Sequence, residues 1–359
     1  MLFTVTVPFF SHIAHMPLTL MSIATQTFRD FEVVVCDDAS PDGDACKALC
    51  EKLSEYMPSP IRYIRFDKNE KIGVNRQRCF DNAKGDYIVS VDSDDLLYSC
   101  LALETYQKNI LAKNQEGKVP DVLQAQFMEA HENGVRNVHQ AGDSAWVHAG
   151  CFRRQFLADN KITFPTYEFY EDGGFMHVVN KLAGLRILIP DTTYLWTHTA
   201  GSIVRSGEYI YRMLHYFTDS FWRAYKIVEP LKGRDNCAEL LFNGLVMPFY
   251  YLMGLERRYP ADDENIAKTY TVLKDMIENS HIVDRINEDE RYFNGFNLIL
   301  RNGITGVLNQ DPYFVGGMPF NDWLKSHFGV SIKKLEADAL QGVRETPTDV
   351  SMFADRIQP

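Results

Sequence analysis

The sequence predicts an α/β domain with a mainly parallel sheet, followed by a mostly helical second half. Three observations carry this. Short β-branched or apolar runs alternate with amphipathic stretches from Phe3 to Val91, the rhythm of a parallel sheet covered on both faces. Beyond about Ser206 strand-like runs vanish and helical periodicity takes over. A chain of 359 residues is also long enough for two domains, and the change of texture divides it into residues 1–205 and 206–359.

Phe3 to Pro8 alternates and closes on a proline, which makes a first strand. Leu18, Met21 and Ile23-Ala24 give Pro17 to Thr27 one apolar helical face. Phe31 to Cys36 is continuously apolar in the manner of a buried parallel strand, and Asp37 to Gly43 has turn chemistry. A helix from Ala45 to Tyr56, a strand from Ile61 to Phe66, a helix from Asn75 to Ala83 and a strand from Tyr87 to Val91 follow. Next come a helix over Leu101–Ala112, a strand over Val122–Glu129, an Asn133-Gly134 turn and a partner strand over Val135–Val138. Phe152–Asn160 reads as a helix. Gly173-Gly174 interrupts the pattern before a helix over Phe175–Leu182, and Arg186–Ile189 and Thr193–Trp196 are short strands. The second half shows amphipathic stretches at Tyr209–Val228, Ala238–Leu255, Asp262–Asn279 and Asn321–Phe328, then a polar tail.

The composition is that of a globular protein, 45% hydrophobic and 24% charged. A net charge of −11 argues against a broad nucleic-acid footprint, leaving only a local basic lip from Arg153-Arg154, Arg205 and Arg212. Seven cysteines show no metal-type pairing, so free thiols in a reducing cytoplasm are expected. Leu240 to Leu255 is the most apolar late run. Asn243, Gly244 and Pro248 interrupt it, and it falls short of the roughly 20 residues a bilayer span requires, so no transmembrane segment is expected. Signatures for dinucleotide, P-loop, zinc-protease and serine-hydrolase chemistry are absent from the sequence. His12 and His15 read as plain polar loop residues, and Glu288-Asp289-Glu290 as a solvated face or helix start.

The chemistry concentrates at Asp92-Ser93-Asp94-Asp95, directly after the strand ending at Val91. On an extended backbone residues i and i+2 share a face, so Asp92 and Asp94 can point together. Ligands of open α/β sheets sit beyond the carboxyl ends of strands. Two hard oxygen donors there suit Mg²⁺ or Mn²⁺ with a phosphate-bearing ligand. A carboxylate here would serve equally as a cap for a helix starting at Leu96, and the residues alone leave both readings open.

Several ordered blocks surround this motif. Thr6-Val7-Pro8 ends a first strand. Ser22, Gln26-Thr27-Phe28 and Asp30-Phe31-Glu32 lead into a second, which closes on Asp37-Asp38-Ala39-Ser40-Pro41-Asp42. Asn69, Gly73-Val74, Arg76 and Ala83-Lys84-Gly85-Asp86-Tyr87 come next, and further on Trp146, Phe152-Arg153-Arg154, Phe164-Pro165, Glu171-Asp172 and Tyr194…His198…Gly201-Ser202-Ile203. In this order the blocks resemble the family-2 glycosyltransferases of GT-A fold over residues 1–205. Departures are Ala39 at a usual glycine, Gln77 at an asparagine, Cys79 at the glycine after it, and Gly173-Gly174 where bulkier residues are usual.

The resemblance implies a GT-A nucleotide-sugar domain with Mn²⁺ or Mg²⁺ as cofactor. It makes Asp94 the direct metal ligand, puts Asp92 on the ribose or a metal-bound water, and has His198 complete metal or diphosphate binding. Asp92, Ser93 and Asp94 together would hold the nucleotide sugar. Pro8 and Phe10 would wall the base, Asp37 or Asp38 would accept its N–H, and Asn69 and Arg76 would contact base and diphosphate. Asp172 would be the catalytic base of an inverting transfer, with Glu171 orienting it or touching the acceptor. Asp172 could also cap the helix near Phe175. Gly173-Gly174 would leave room for a large acceptor or loosen the loop.

The expected function is therefore transfer of a sugar from a nucleoside diphosphate sugar, UDP-linked by family default, to a hydroxyl acceptor. The acceptor stays open among glycan, protein and nucleic acid. The alternatives are glycosylation of a modified DNA base by the same chemistry and a non-catalytic nucleotide-sugar-binding regulatory module. The helical half would supply acceptor recognition or form a homo-oligomer.

Overall fold

The computed structural model describes residues 1–11, 13–142, 146–198, 208–256, 258–260, 263–308 and 318–335, with 302–308 as backbone only. His12, Gly201-Ser202-Ile203, Arg205 and the polar tail lie outside the described residues. The chain divides into two compact units, Met1–Ser206 and Gly207–Pro359.

The first unit begins with β1 (Phe3–Phe9), α1 (Met16–Ala24), β2 (Phe31–Asp37), α2 (Gly43–Leu53), β3 (Arg62–Arg65), α3 (Lys71–Asp81) and β4 (Tyr87–Ser90). It continues through β5 (Leu96–Leu97), α4 (Ala102–Gln115), β6 (Val122–Ala130), β7 (Arg136–His139), β8 (Gly150–Arg153), α5 (Arg154–Asp159), α6 (Glu171–Leu182) and β9 (Arg186–Thr197). Nine strands form one sheet in the order β3-β2-β1-β4-β8-β6-β9-β5, with β7 on β6. β1 to β4 run parallel, as expected for a GT-A domain, while β8 is antiparallel to both neighbours and makes the sheet mixed. Val5, Val7, Val33, Val35, Val89 and Val91 are fully or almost fully buried, which continuous apolar strands require when helices cover both faces.

Four boundaries differ from the sequence expectation. Phe152 and Arg153, read as the start of a helix, belong to the strand β8 (Gly150–Arg153), whose Cys151 and Phe152 are buried against β4 and β6. α3 starts four residues before Asn75, because Asp38 reaches across to accept the Glu70 and Lys71 N–H groups at its start. α6 begins at Glu171 and takes Gly173-Gly174 inside its first turn. Finally, Arg186 to Thr197 is one strand, whose register on β6 shifts between Ala125 and Phe127.

The second unit contains α7 (Tyr209–Lys232), α8 (Ala238–Leu255), α9 (Glu264–Ser280), α10 (Ile282–Glu288), α11 (Glu290–Leu308) and α12 (Phe320–Phe328). Asp263 caps α9 by accepting the Asn265 and Ile266 N–H groups. Asp289 accepts the Arg291 N–H at the start of α11, so the acidic run marks a helix start. α8 is long and apolar enough to cross a membrane by length and composition, and 67% of it is buried within the protein. Its Leu241, Leu245, Val246 and Leu252 form core against α7 and α11. All seven cysteines are free thiols, and only Cys100 is exposed.

Candidate active site

Register brings the carboxyl ends of β1, β2 and β4 together. Pro8 pairs with Cys36 and Phe9 with Asp37, while Thr6 pairs with Ser90. One residue further the Val91 N–H donates to Thr6 O at 2.9 Å, and the chain then leaves the sheet at Asp92. β4 is therefore the strand that delivers the acidic motif to the crevice beyond the sheet edge.

Asp92 is not free there. Arg76, from α3 and only 5% exposed, donates Nη1 and Nη2 to its two oxygens at 2.6 and 3.0 Å, and donates Nε to Glu171 Oε1 at 2.9 Å. His148 Nε2 faces the same carboxylate at 3.5 Å. Burial alone would raise the Asp92 pKa, but the Arg76 guanidinium outweighs it and holds the group well below the usual carboxylate range. Arg76, expected to contact the diphosphate, has its side chain buried and engaged by two carboxylates, which hold it inside the protein as a bridge.

Asp94 is half-buried beside this bridge, and the Ser93 carbonyl is held by the Thr19 hydroxyl at 2.9 Å. Asp95 turns inward. It accepts the Tyr194 O–H and the Thr197 N–H, each at 2.7 Å, which ties the motif to the end of β9. Burial pushes its carboxyl pKa well above the usual range, and the charges of Asp94 and Asp92 push it further. Negative charge is thus in excess at this strand end, and the donors are hard oxygens. The residues fit a divalent cation such as Mg²⁺ or Mn²⁺.

Glu171 and Asp172 open α6, where the helix dipole favours carboxylates. Asp172 lies in the first turn and its Oδ1 accepts the N–H of Gly173 at 2.7 Å, so the residue is inside the helix and not its cap. The cap position is Tyr170, held in the left-handed region at φ 60°. A Cβ on Gly173 would sit 2.3 Å from the Tyr170 ring, and one on Gly174 would sit 2.8 Å from Pro165. The two glycines therefore neither leave an open space nor loosen the loop. They let Tyr170 and Pro165 close over the helix start. Burial, followed by the Glu171 charge, pushes the Asp172 carboxyl up to about 8. A carboxyl with that affinity for protons suits proton abstraction near neutrality.

The turn after β2 differs from expectation. Asp37 accepts the Ser40 N–H at 2.7 Å, takes the Tyr63 hydroxyl and faces Arg65 at 3.5 Å. Asp38 accepts the Glu70 and Lys71 N–H groups and Arg78 Nη1 at 2.8 Å. With Asp37 0% and Asp38 1% exposed, neither carboxylate reaches a base in this arrangement. Both fix the turn and the start of α3. Asn69 Oδ1 accepts the Lys71 N–H in an Asx-turn, Pro8 is buried in β1, and Phe10 is exposed at the crevice end of β1.

His198, expected at the metal or diphosphate, meets Glu129 and His131. Its Nε2 is hydrogen-bonded to Glu129 and its ring lies against His131, centroids 3.8 Å apart. Among the described residues the side chains grouped closely enough to hold an ion are Glu129–His131–His198 and Asp92–Asp95–His148. Sequence reasoning missed His148. It stacks on Tyr194 at 4.9 Å, and its buried Nδ1 has no hydrogen-bond partner among the described residues. Its only sequence signal was its place two residues after Trp146.

A GT-A sheet that ends in clustered carboxylates defines the glycosyltransferase class. Residues 4–169 match the profile of Glycosyl transferase family 2, so this part of the chain carries a domain of that family. It is 24% identical over 226 residues to glycosyltransferase GlyG of Streptococcus pneumoniae, a match covering 57% of this chain and 73% of GlyG. It is 25% identical over 175 residues to the poly(ribitol-phosphate) β-N-acetylglucosaminyltransferase TarP of Staphylococcus aureus, covering 46% of this chain and 52% of TarP. The stretches shared with curated relatives span from 15% to 73% of those proteins' lengths. The fold is similar to that of S. aureus TarS 1-349, with a TM-score of 0.59 and 19% identity, over 87% of this chain and 92% of that one. TarS has been solved in complex with UDP and with UDP-GlcNAc.

Proposed function

We propose that the chain transfers a sugar from a UDP-sugar to a hydroxyl of a glycan or polyol acceptor, with inversion. The observation that carries this reading is Asp172, a high-pKa carboxyl in the first turn of α6, joined through Glu171 and Arg76 to the donor-side Asp92. In a single displacement the acceptor oxygen attacks the anomeric carbon, the bond to the diphosphate breaks, and a base takes the hydroxyl proton. Asp172 Oδ is that base. Glu171, held by Arg76, stands beside it. Phe10 offers an exposed ring to the uracil, and Asp94 with Asp92 would hold Mn²⁺ or Mg²⁺. That ion would neutralise the departing diphosphate.

The UDP-GlcNAc complex of TarS and the name of TarP support N-acetylglucosamine as the first sugar to try. The helical unit would recognise the acceptor, mediate self-association, or both. The test is calorimetric titration of UDP-GlcNAc with and without Mn²⁺, together with a donor-hydrolysis assay. Asp172→Asn should bind donor like the parent protein and lose about 10²–10⁴-fold in turnover. Turnover near the parent's would remove Asp172 as the base, and Mn²⁺-independent binding in both Asp94→Ala and the parent would remove the metal.

A further inference from the structure

We propose that Glu129, His131 and His198 form a second metal site, for a transition ion of the Zn²⁺ or Co²⁺ type, separate from the carboxylates after β4. It stands on its own geometry and does not depend on the transfer reading. Two strand ends build it. Glu129 is the penultimate residue of β6 and His131 follows that strand directly. His198 follows β9, where its N–H donates to Ala130 O at 2.9 Å. Glu129 pairs with Asn137 on β7 and with Trp196 on β9, so residues from three strands converge on one carboxylate.

The ligand atoms of these three side chains all lie within 4.8 Å of one another. His131 Nε2 is 3.5 Å from Glu129 Oε1, the oxygen that His198 Nε2 also meets. Bonds of 2.0–2.1 Å to a tetrahedral ion place neighbouring ligand atoms about 3.3 Å apart, so the cluster needs only small shifts to close on a metal. The other oxygen, Oε2, is already held by His139 Nε2 at 3.0 Å, the kind of support that orients a ligating carboxylate. The Asn137 amide donates to His131 Nε2 at 3.0 Å, a bond that opens when that lone pair turns to an ion. His131 and His139 are 28% and 31% exposed, which gives an ion a way in. Two imidazoles and one carboxylate with a fourth position open favour Zn²⁺, Co²⁺ or Ni²⁺. The all-oxygen set at Asp92 and Asp94 favours Mg²⁺ or Mn²⁺.

The test titrates Co²⁺ into the full chain carrying Asp94→Ala and reads the visible absorption of a tetrahedral nitrogen-ligated ion. One equivalent should bind with that band. Adding His131→Ala or Glu129→Gln should weaken binding at least tenfold, with His139→Ala weakening it less. His131 is partly exposed, and circular dichroism will establish that its variant is folded. Loss of the band in Asp94→Ala alone would overturn the proposal, as would Co²⁺ affinity unchanged in both His131→Ala and Glu129→Gln. The first result would return His198 to the Asp94 site, and the second would leave the cluster as a hydrogen-bonded one.

Discussion

Arg76 clasps Asp92 through both ends of its guanidinium, at 2.6 and 3.0 Å, in a position where the arginine is only 5% exposed. A cation buried this deeply persists only when paired. Its third nitrogen meets Glu171, so one side chain is shared between the acidic motif after β4 and the acidic pair at α6. Removing it leaves a buried Glu171 and a part-buried Asp92 without this partner. Arg76→Ala is therefore expected to destabilise the domain by about 3–5 kcal/mol, measured by urea unfolding. Arg76→Lys keeps the charge but cannot span both partners, so its loss should be smaller yet real. A loss below about 1 kcal/mol in Arg76→Ala would show that the carboxylates find other partners.

Asp172 gives a pH signature of known sign. In the folded protein its carboxyl sits at about 8 because it is buried and lies beside Glu171, whereas an unfolded chain releases that proton at about 3.9. Between those values the folded state holds a proton that the unfolded state has lost, so this group makes stability fall as pH rises. Asp172→Asn should remove that slope, and the variant should gain stability relative to the parent from pH 5 to pH 8 in paired thermal melts. In the parent, kcat/KM should climb through the same upper value as the base ionises. A parent–variant difference that does not change with pH would mean that Asp172 titrates normally.

Local pattern made part of this legible. The alternating or continuous apolar runs of β1, β2 and β4 name their own strands, and the i, i+2 spacing of Asp92 and Asp94 names the end that carries chemistry. What local pattern could not carry are contacts between residues distant in the chain. The start of α3 is held by Asp38, 32 residues before Glu70, in addition to the local Asn69 turn. β8 is four residues long and is a strand only because β4 and β6 flank it. Asp37 and Asp38 matched a base-binding turn by residue type, yet their partners Tyr63 and Arg78 lie on later elements. The glycines of α6 looked like a loop because the Tyr170 ring and Pro165 that fill the space beside them lie outside that helix.

Asp95 has a structural place within the acidic motif. It receives the Tyr194 O–H and the Thr197 N–H, both at 2.7 Å, and is 1% exposed. Asp95→Ala leaves both donors buried without partners, a penalty of about 1–3 kcal/mol for each. Asp95→Asn keeps an oxygen for Thr197 and a similar shape, so it should melt close to the parent. Hydrogen exchange at the Thr197 amide is the direct readout: fast in the alanine variant, slow in the asparagine one. Equal protection in both would show that β9 is held at this end by its ladder with β6 alone.

Ala39 occupies a backbone position that glycine would take without strain. Its φ is 57°, in the turn between Asp38 and Ser40, where a Cβ crowds the following carbonyl. The left-handed region costs an alanine roughly 1–2 kcal/mol, while glycine adds back about 0.5–1 kcal/mol through the freedom it has when unfolded. Ala39 is half-buried and contributes only a methyl group, so little packing is lost. Ala39→Gly should therefore stabilise the protein by about 0.5–1 kcal/mol, read as a higher urea midpoint with an unchanged slope. Tyr170 provides the contrast at φ 60°, because its ring lies over Gly173 at the start of α6. There the same relief of strain would remove a side chain from the candidate site. Tyr170→Gly should lower turnover even where its melting temperature holds, and a Tyr170→Gly protein with parental turnover would show that the ring has no part in shaping the Asp172 site.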